Sequence, residues 1–411
     1  AAGLGLGGIW PRTAHAAWGD IPASIWTGSG FDPANLKVLE IHLLGGVAPF
    51  ESFYLSPAPG PQTRGFNTEV TNLIWNNPTC AGTPSGLETQ FFANDTKGKP
   101  IHLGPFAKPL WSRTDIRDRM RVIVLAPDLL PHEAAIPFAL TGLRLGNPNQ
   151  ASLGAAIAQR HQTLSPRALP YAYGLLPQDA GTGAGVNSLL TMTMRAVGRH
   201  PGSTRPLVLR IGPGFATFLT DLQRSNMNAN KDALLNQYRG QYRDWLRYQG
   251  VGLPTRSNAF RDYDTAVDAL VGAASLSTFL GSIPTAIPNN AECARTPTGS
   301  FETSPNPTRT ALHAAVFLLT RAPTERARYV CVVDSGIEPL APNNLPYDVH
   351  DGINENGQAG DTGSNLWNTF QTLAELINAP SVPADPNKLD LSDTLIIITT
   401  ALTLSIVVSG F

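Results

Sequence analysis

The residues best suited to chemistry lie in the segment 347–352, where Asp348 and His350 are separated by one residue. A carboxylate and an imidazole at this spacing can bind a divalent metal or position a water molecule. The segment follows an apolar run at residues 328–334 that is typical of a strand, and it precedes an amphipathic run at residues 365–377 that is typical of a helix. Asp348 and His350 are therefore the first candidate metal ligands.

A third candidate ligand follows another strand-like run. Residues 37–44 are largely apolar, which predicts a strand covered on both faces, and Gly45 and Gly46 close the run. Glycines at the end of a buried strand let the backbone of the next loop come close to a ligand. Glu51 in that loop is either a metal-binding carboxylate or a surface residue.

Other candidates follow two further predicted strands. Residues 121–126 predict a second short strand of the buried kind, and Pro131 then begins a predicted helix. His132 in its first turn is either a site residue near N–H groups that can bind an anion or an incidental residue of a capped helix start. Asp334 ends a strand, where ligands collect in α/β sheets, and Ser335 follows it in the next loop.

Alternating strands and helices predict an α/β fold with a mostly parallel sheet and helices on both faces. Such a sheet would gather Glu51, His132 and the pair Asp348 and His350 at its carboxyl edge. The aromatic residues of 232–248 recur at helical intervals, which predicts a packing stripe. Further predicted elements are a strand at residues 206–211 and helices at residues 152–161, 186–197, 262–274 and 308–320.

Composition limits the classes of function. The 411 residues include 42% hydrophobic and 15% charged residues, enough apolar content for a large core. A formal net charge of -1 gives no electrostatic footprint for nucleic acid, and no basic run suggests a membrane-surface patch. We therefore expect neither nucleic acid nor a membrane surface as the partner.

The beginning of the chain predicts export. Residues 1–10 are small, apolar and Gly-rich, and Ala14-His15-Ala16 has the small-x-small form of a signal-peptidase site. We interpret 1–16 as the remnant of an export signal, suited to the twin-arginine route, and a flexible cytosolic tail is the alternative. We then expect a lead-in at 17–35 and a single α/β domain at 36–411, with a loop-rich, Pro-rich insertion at 56–120.

The three cysteines agree with an exported protein. Cys80 and Cys293 lie in polar, turn-rich loops, and a disulfide between them is permitted in an oxidising compartment. Cys331 lies inside an apolar run and is predicted to be a buried, inert thiol. Neither a CxxC motif nor a Cys/His zinc spacing occurs in the sequence.

Four motifs in this order resemble an exported bacterial family of uncharacterised proteins in the alkaline phosphatase and sulfatase superfamily. They are Ala14-His15-Ala16, the strand closed by Gly45-Gly46, the His132 segment continuing to Thr141-Gly142 and Ser152-Leu153-Gly154, and the aromatic-Asp-x-His motif at Tyr347-Asp348-Val349-His350. In the last motif Tyr347 stands where Trp is usual, and Val349 stands where Thr is usual.

The resemblance implies an alkaline-phosphatase-like α/β/α domain with metal ligands at the carboxyl edge of the sheet. Enzymes of the superfamily hydrolyse phosphate or sulfate esters, using metal to activate a hydroxyl nucleophile. A periplasmic or cell-surface ester hydrolase would then bind zinc, calcium or magnesium through Asp348 and His350, with Glu51 as a weaker ligand. His132 and Ser335 are the catalytic candidates.

The chain also departs from this family. Glu51 stands where relatives carry an Asp, and the predicted strand 394–400 lacks the expected acidic-Phe-Gly-Arg motif and Asp-His pair after it. No His, Asp or Glu follows Asp393, so half of the expected metal shell has no residues. Either residues are omitted after Thr400, or the site was lost, or the tail has another purpose.

Two further expectations follow from that ending. The last 18 residues are uncharged, but their β-branched content favours a core strand over a membrane-spanning helix. The alternative function is a non-catalytic exported scaffold or partner-binding subunit that keeps the fold.

Overall fold

The computed structural model of the chain describes residues 35–47, 90–124, 132–141, 152–155, 157, 173–177, 207–211, 215–224, 229–248, 273–285, 287, 306–336, 347, 358–400 and 404–408. Its strands are β1 (Lys37–Leu43), β2 (Gln90–Asn94), β3 (Pro100–Leu103), β4 (Met120–Val124), β5 (Tyr173–Pro177), β6 (Leu207–Val208), β7 (Tyr329–Asp334), β8 (Thr394–Thr400) and β9 (Leu404–Val408). Its helices are α1 (Thr114–Arg117), α2 (His132–Thr141), α3 (Phe215–Arg224), α4 (Ala229–Tyr248), α5 (Ala273–Leu280), α6 (Pro307–Thr320), α7 (Gln358–Leu376) and a 3-10 helix at Pro105–Leu110.

Among the described residues, seven strands form one sheet in the order β4-β9-β8-β1-β7-β5-β6. The five strands from β8 to β6 are parallel, and β9 is antiparallel to both β8 and β4. β1 is paired on both sides and every residue in it is buried. The predicted α/β class with a mostly parallel sheet is confirmed.

The side chains of β1 alternate between two hydrophobic cores. Leu39, Ile41 and Leu43 belong to the larger core, together with the apolar faces of α6 and α7. Val38 and Leu44 belong to the smaller core on the opposite face. That smaller core is covered by residues of α2, namely Ala135, Ile136 and Leu140.

The start of α6 is fixed by its capping residues. The Asn306 side chain accepts a hydrogen bond from the Arg309 backbone N–H at 2.9 Å. Pro307 occupies the first turn, where a missing N–H removes no helical hydrogen bond. This cap places Thr308 within hydrogen-bonding distance of the carboxyl end of β7.

The described part of the predicted insertion, residues 90–120, is more regular than its Pro-rich sequence indicates. β2 and β3 pair as an antiparallel hairpin, and the 3-10 helix packs against α7. Arg113 donates to the carbonyl oxygens of Ala374, Ile377 and Asn378 at the end of α7. These bonds satisfy carbonyl groups that have no partner inside the helix.

The prediction that residues 121–126 form a strand of the buried kind is wrong. The strand exists as β4, but Arg121 is exposed and Ile123 keeps 46% of its surface exposed. β4 is the edge strand of the sheet and pairs only with β9 among the described strands. Burial therefore depended on position in the sheet, which a short apolar run does not specify.

The predicted helix at 232–248 is confirmed within α4, but its predicted packing stripe is wrong. Leu234, Tyr238 and Trp245 are 66%, 57% and 53% exposed. The rings of Tyr238 and Tyr242 stack with centroids 6.5 Å apart, and those of Tyr242 and Trp245 with centroids 5.8 Å apart. The spacing locates an apolar stripe without specifying what covers it.

The remaining predicted elements are confirmed where they are described. β1, β7 and β8 correspond to the strands predicted at 37–44, 328–334 and 394–400, and α6 and α7 correspond to the helices predicted at 308–320 and 365–377. The strand predicted at 206–211 is confirmed only as the two residues of β6, because residues 209–211 are not in a strand. β5 was not predicted. Within the described part of the chain, no helix is both long and apolar enough to cross a membrane.

Two cysteine predictions have different outcomes. Cys331 is buried, and burial holds the pKa of its thiol well above the usual value, which confirms an inert thiol. Cys80, Cys293 and the predicted helix at 186–197 lie outside the described residues.

Candidate functional site

The carboxyl ends of three parallel strands meet at one level of the sheet. Leu43 of β1 pairs with Asp334 of β7 on one side and with Thr400 of β8 on the other. The Leu44 N–H donates to the Asp334 carbonyl oxygen at 2.9 Å, so the same register continues and Ser335 lies beside Leu44. Gly45 then adopts a φ of 133°, which favours glycine.

Asp334 is a buried carboxylate that accepts four hydrogen bonds. The Thr308 hydroxyl and the Gly336 N–H each donate to Oδ1 at 2.9 Å. The Tyr347 hydroxyl donates to Oδ2 at 2.6 Å, and the Thr369 hydroxyl donates to Oδ2 at 2.5 Å. These donors come from α6, from α7 and from two turns, so one carboxylate links four parts of the chain.

The surroundings of Asp334 define its role. Burial raises the pKa of this carboxyl group above its usual value, and the hydrogen bonds from Thr369, Tyr347, Gly336 and Thr308 oppose that rise. Both oxygens are occupied by donors from within the fold. Asp334 is therefore a structural carboxylate and is not arranged as the metal ligand that its position in the sequence suggested.

A second polar cluster lies on the opposite face of the same strands. Glu40 in β1 accepts hydrogen bonds from the Tyr329 hydroxyl at Oε2 and from the Thr399 hydroxyl at Oε1, the latter at 3.2 Å. Burial raises the pKa of Glu40 to about 7, although both hydroxyl groups favour the ionised form. An acid in this condition exchanges a proton near neutral pH.

His42 extends this cluster by one more hydrogen bond. Its Nδ1 lies 3.0 Å from the Thr399 hydroxyl oxygen. Because the Thr399 O–H donates to Glu40, that oxygen accepts from the Nδ1–H of His42. The lone pair of the neutral ring then resides on Nε2, which is buried and has no hydrogen-bond partner among the described residues.

Burial also fixes the charge of His42. The pKa of the imidazole is lowered to about 4, since a buried cation would lack its hydration. The ring is thus neutral at neutral pH. Neither Glu40 nor His42 was among the candidates from the sequence, although two polar residues spaced by two inside a buried strand indicate that they share one face.

Aromatic and polar groups surround the Glu40 cluster. The rings of Tyr173 and Tyr329 meet edge to face with centroids 5.0 Å apart, and Ser152 hydrogen-bonds Tyr173. Burial holds the pKa values of Tyr173 and Tyr329 well above the usual value, and Cys331 lies in the same core. These three groups stay protonated, so in the described part of this cluster Glu40 titrates near neutral pH and His42 titrates near pH 4.

The candidates from the sequence have different outcomes. Ser335 lies at the carboxyl edge and is 6% exposed. His132 is the first residue of α2, which follows the strand β4. Tyr347, the sequence neighbour of Asp348, contacts the carboxyl edge through Asp334. Glu51, Asp348 and His350 lie outside the described residues, so their convergence stays a prediction.

A groove of about 420 Å³ lies elsewhere, between the 3-10 helix and α7. Its charged lining residues are Lys108, Arg113 and Glu375, and two of them form ion pairs within the fold. Arg113 binds both carboxylate oxygens of Asp115, and Arg309 binds Glu375 at 2.6 Å. We assign no chemistry to this groove because Arg113 and Glu375 are held in ion pairs and the Lys108 ammonium lies over the Trp111 ring.

The described residues alone do not form a metal site. Across the described ranges, no group of three or more His, Cys, Asp or Glu side chains is arranged to hold an ion. Asp334 is saturated by donors, and Glu40 and His42 are joined through Thr399.

Comparisons of the chain with protein-family models, with curated proteins and with solved structures found no match.

Proposed function

We propose that the chain is an exported, alkaline-phosphatase-like protein that hydrolyses small phosphate or sulfate esters at the carboxyl edge of its sheet. The observation that carries this proposal is the strand order around β7 and β5. Of the described strands, the one that follows β7 in the chain is β8, which lies beyond β1, whereas the one that follows β5 is β6, which lies on the opposite side. Ligands of open α/β sheets bind where successive connections diverge in this way.

Ser335 is the nucleophile in this proposal. It is the first residue after β7, at the point of divergence, and it is adjacent in register to β1. A hydroxyl at the carboxyl edge can attack an ester that enters the crevice from this side. The turn that follows is held by the Gly336 N–H bond to Asp334, with Gly336 at a φ of 74°.

His132 is the proposed contact for the anionic group of the substrate, because it begins α2 and the first N–H groups of a helix attract anions. The proposed ligands for zinc, calcium or magnesium are Asp348, His350 and Glu51. A metal held there would stabilise negative charge on the ester. The small-x-small motif at residues 14–16 supports export to the periplasm or cell surface.

Hydrolysis of p-nitrophenyl phosphate and p-nitrophenyl sulfate, with and without each of the three ions, tests this function. We expect turnover by the wild type and a loss of about 100-fold or more in Ser335→Ala, because the nucleophile is removed. Ser282→Ala, at an exposed serine, is the matched control. Turnover that is equal in Ser335→Ala, or absent under every condition, contradicts the proposal.

The proposed metal ligands have a separate test. In the double variant Asp348→Asn and His350→Ala we expect calorimetry to detect no divalent-metal binding, since the carboxylate charge and the imidazole donor are both lost. Unchanged binding rejects the assignment of these two ligands. Activity measurements are not needed for this result.

A second candidate function is a non-catalytic exported scaffold or partner-binding subunit. The saturation of Asp334 favours it, because the strand-end carboxylate serves the fold and not an ion. This candidate predicts no ester turnover in the wild type or in Ser335→Ala. It also predicts that the double variant at Asp348 and His350 keeps the stability of the wild type, whereas a change at Asp334 lowers it.

A further inference from the structure

The Thr399 hydroxyl lies between two buried groups that can each take up or release a proton. Its oxygen is 3.2 Å from Oε1 of Glu40 and 3.0 Å from Nδ1 of His42. A hydroxyl group has a single proton, so it donates to one of these neighbours and accepts from the other. The direction of the hydrogen bond to Glu40 therefore decides the direction of the hydrogen bond to His42.

With Glu40 ionised, the chain of hydrogen bonds has one direction. A carboxylate only accepts, so the Tyr329 hydroxyl donates to Oε2 and the Thr399 hydroxyl donates to Oε1. The Thr399 oxygen then accepts from the Nδ1–H of His42. In this state the neutral ring carries its proton on Nδ1.

With Glu40 protonated, the same atoms support the opposite direction. The added proton lies on Oε1, because a proton on Oε2 would face the buried Tyr329 hydroxyl and take away its acceptor. The Oε1–H then donates to the Thr399 oxygen, and the Thr399 hydroxyl turns to donate to Nδ1 of His42. The ring proton now lies on Nε2. The net change is the uptake of one proton, and all three hydrogen bonds are kept.

We propose that Glu40, Thr399 and His42 form a pH-sensitive switch, in which proton uptake by Glu40 reverses the hydrogen bonds and moves the ring proton of His42 from Nδ1 to Nε2. The switch does not depend on the proposed hydrolytic function. It is carried by the shared Thr399 hydroxyl, because Nδ1 has this hydrogen-bond partner while Nε2 has none among the described residues. The tautomer of the ring is therefore decided at Nδ1.

The switch lies inside the sheet, one residue before its carboxyl edge. His42 pairs in register with Thr399, and the next pair along these two strands is Leu43 with Thr400. Glu40 and His42 are two residues apart in β1, so their side chains share one face. His42 is fully buried and Glu40 is 5% exposed, so bulk water does not compete for the three hydrogen bonds.

The switch operates near neutral pH. Burial raises the pKa of Glu40 to about 7 and lowers the pKa of His42 to about 4, so the ring stays neutral while Glu40 titrates. Three other titratable side chains lie around Glu40 on β7 and β5 and are kept protonated by burial, namely Tyr329, Cys331 and Tyr173. The described core residues that cover this face from α2 and from residues 152–157 are uncharged.

Nitrogen-15 NMR of the histidine rings tests the switch in the wild type, and the signals lost in His42→Gln identify this ring. In a titration from about pH 5.5 to about pH 9, we expect a neutral ring with its proton on Nε2 below the midpoint and on Nδ1 above it. The shifts of the two ring nitrogens should exchange places around the pKa of Glu40, which is about 7. A single tautomer throughout the titration overturns the switch.

Glu40→Gln holds the hydrogen bonds in one direction. The Gln amide imitates the protonated acid, because its oxygen accepts from Tyr329 and its nitrogen donates to Thr399. We expect the His42 proton to stay on Nε2 at every pH in this variant. Infrared difference spectra should show a protonated carboxyl band that disappears above about pH 7 in the wild type and is missing in Glu40→Gln. A reversal that persists in Glu40→Gln, or no such band in the wild type, contradicts the proposal.

Variants at Thr399 test whether its hydroxyl couples the two groups. Thr399→Val removes the hydroxyl at nearly constant volume, so the His42 tautomer should no longer change when Glu40 titrates. Thr399→Ser keeps a hydroxyl and should keep the reversal. Thr372→Val is the matched control and should also keep it, because the buried Thr372 hydroxyl donates to the Asn368 carbonyl oxygen at 2.8 Å.

A reversal in Thr399→Val equal to that of the wild type rejects the coupling through Thr399. Thermal unfolding verifies that each variant folds. If either Glu40→Gln or Thr399→Val does not fold, the wild-type titration and the other variant decide the result. Ester turnover enters none of these measurements, so they are independent of the proposed function.

Discussion

Glu40 and Asp334 are buried carboxyl groups on opposite faces of neighbouring strands, and they differ in the number of donors that they receive. Asp334 has four donors that occupy both oxygens, whereas Glu40 has two hydroxyl donors. More donors stabilise the charged form of a buried acid. Asp334 is accordingly suited to hold the fold together, and Glu40 is suited to exchange a proton.

The structural role of Asp334 gives the first prediction. Asp334→Asn removes the charge and places an amide N–H₂ against donor hydroxyls, so buried donors lose their acceptor. We expect the free energy of unfolding to fall by about 1–3 kcal/mol in urea titrations. The control is Asp118→Asn, whose carboxylate is exposed and lies 3.7 Å from Arg117. Equal stability of Asp334→Asn and wild type would show that the four bonds contribute no net stability.

A second prediction concerns the charge state of His42. Its pKa is lowered from 6.5 to about 4 on folding, so the unfolded chain binds more protons between these values. The stability of the wild type relative to His42→Gln is therefore complete above about pH 6.5 and is lost as the pH falls towards 4. The loss is on the order of 3 kcal/mol at about 1.4 kcal/mol per pKa unit.

Urea titrations of both proteins across that pH range measure this difference. Glu40 titrates in both proteins, so its contribution cancels. A constant difference between pH 4 and 6.5 would refute the neutral, buried imidazole.

At the scale of elements, the segment that follows α2 is packed closely onto the Glu40 face. A Cβ atom added at Gly154 would lie 2.6 Å from the rings of Tyr173 and Tyr329. Both rings are buried and contact each other, so they have little room to shift. The absence of a side chain at residue 154 is what allows this segment to cover the tyrosines.

The third prediction compares two glycines. Gly154→Ala should lower the free energy of unfolding by about 1–3 kcal/mol, because overpacking displaces the tyrosine rings. Gly240→Ala should raise it by about 0.5–1 kcal/mol, since Gly240 lies in α4 with open space around it and Ala is the better helix former. Thermal or urea unfolding measures both, and equal effects at the two sites would contradict the close packing at Gly154.

Whether a segment forms a helix or a strand was predictable from the sequence where its burial agreed with the spacing of its apolar residues. β1, β7 and β8 are long, apolar strands at the centre of the sheet, and each was predicted. β5 is a short strand that contains Gly174 and Pro177, two residues that weaken a strand pattern. It forms because β7 and β6 pair with it, which is tertiary information.

At the scale of the whole molecule, stability is concentrated around β1. This strand pairs with β7 and β8 and contributes residues to both cores. α4 differs, because much of its aromatic stripe is exposed. Local opening of α4 therefore removes little apolar burial, whereas opening of β1 disrupts the sheet.

Hydrogen exchange provides the fourth prediction. Amides of β1 and β7 should exchange only through global unfolding, while those of α4 should exchange faster through local opening. Mass spectrometry of peptides from both regions measures this contrast. Protection of α4 equal to that of β1 would show that a contact in the folded protein covers the helix.

The sequence by itself determined the class of fold and the central elements. Continuous apolar runs specify strands that are buried on both faces, and apolar spacing near 3.6 specifies helices, so β1, β7, β8, α6 and α7 follow from local pattern. It also placed Ser335 at a strand end. These features depend on residues that are close in the chain.

Only the tertiary structure decided which side chains meet. The Glu40, Thr399 and His42 chain joins residues more than 350 positions apart, and Asp334 receives donors from two helices that follow different strands. Strand order and register set these contacts, and a one-residue shift would move each side chain to the opposite face. The local sequence pattern specifies that a strand is buried, whereas the neighbouring strands determine which contacts its polar residues make.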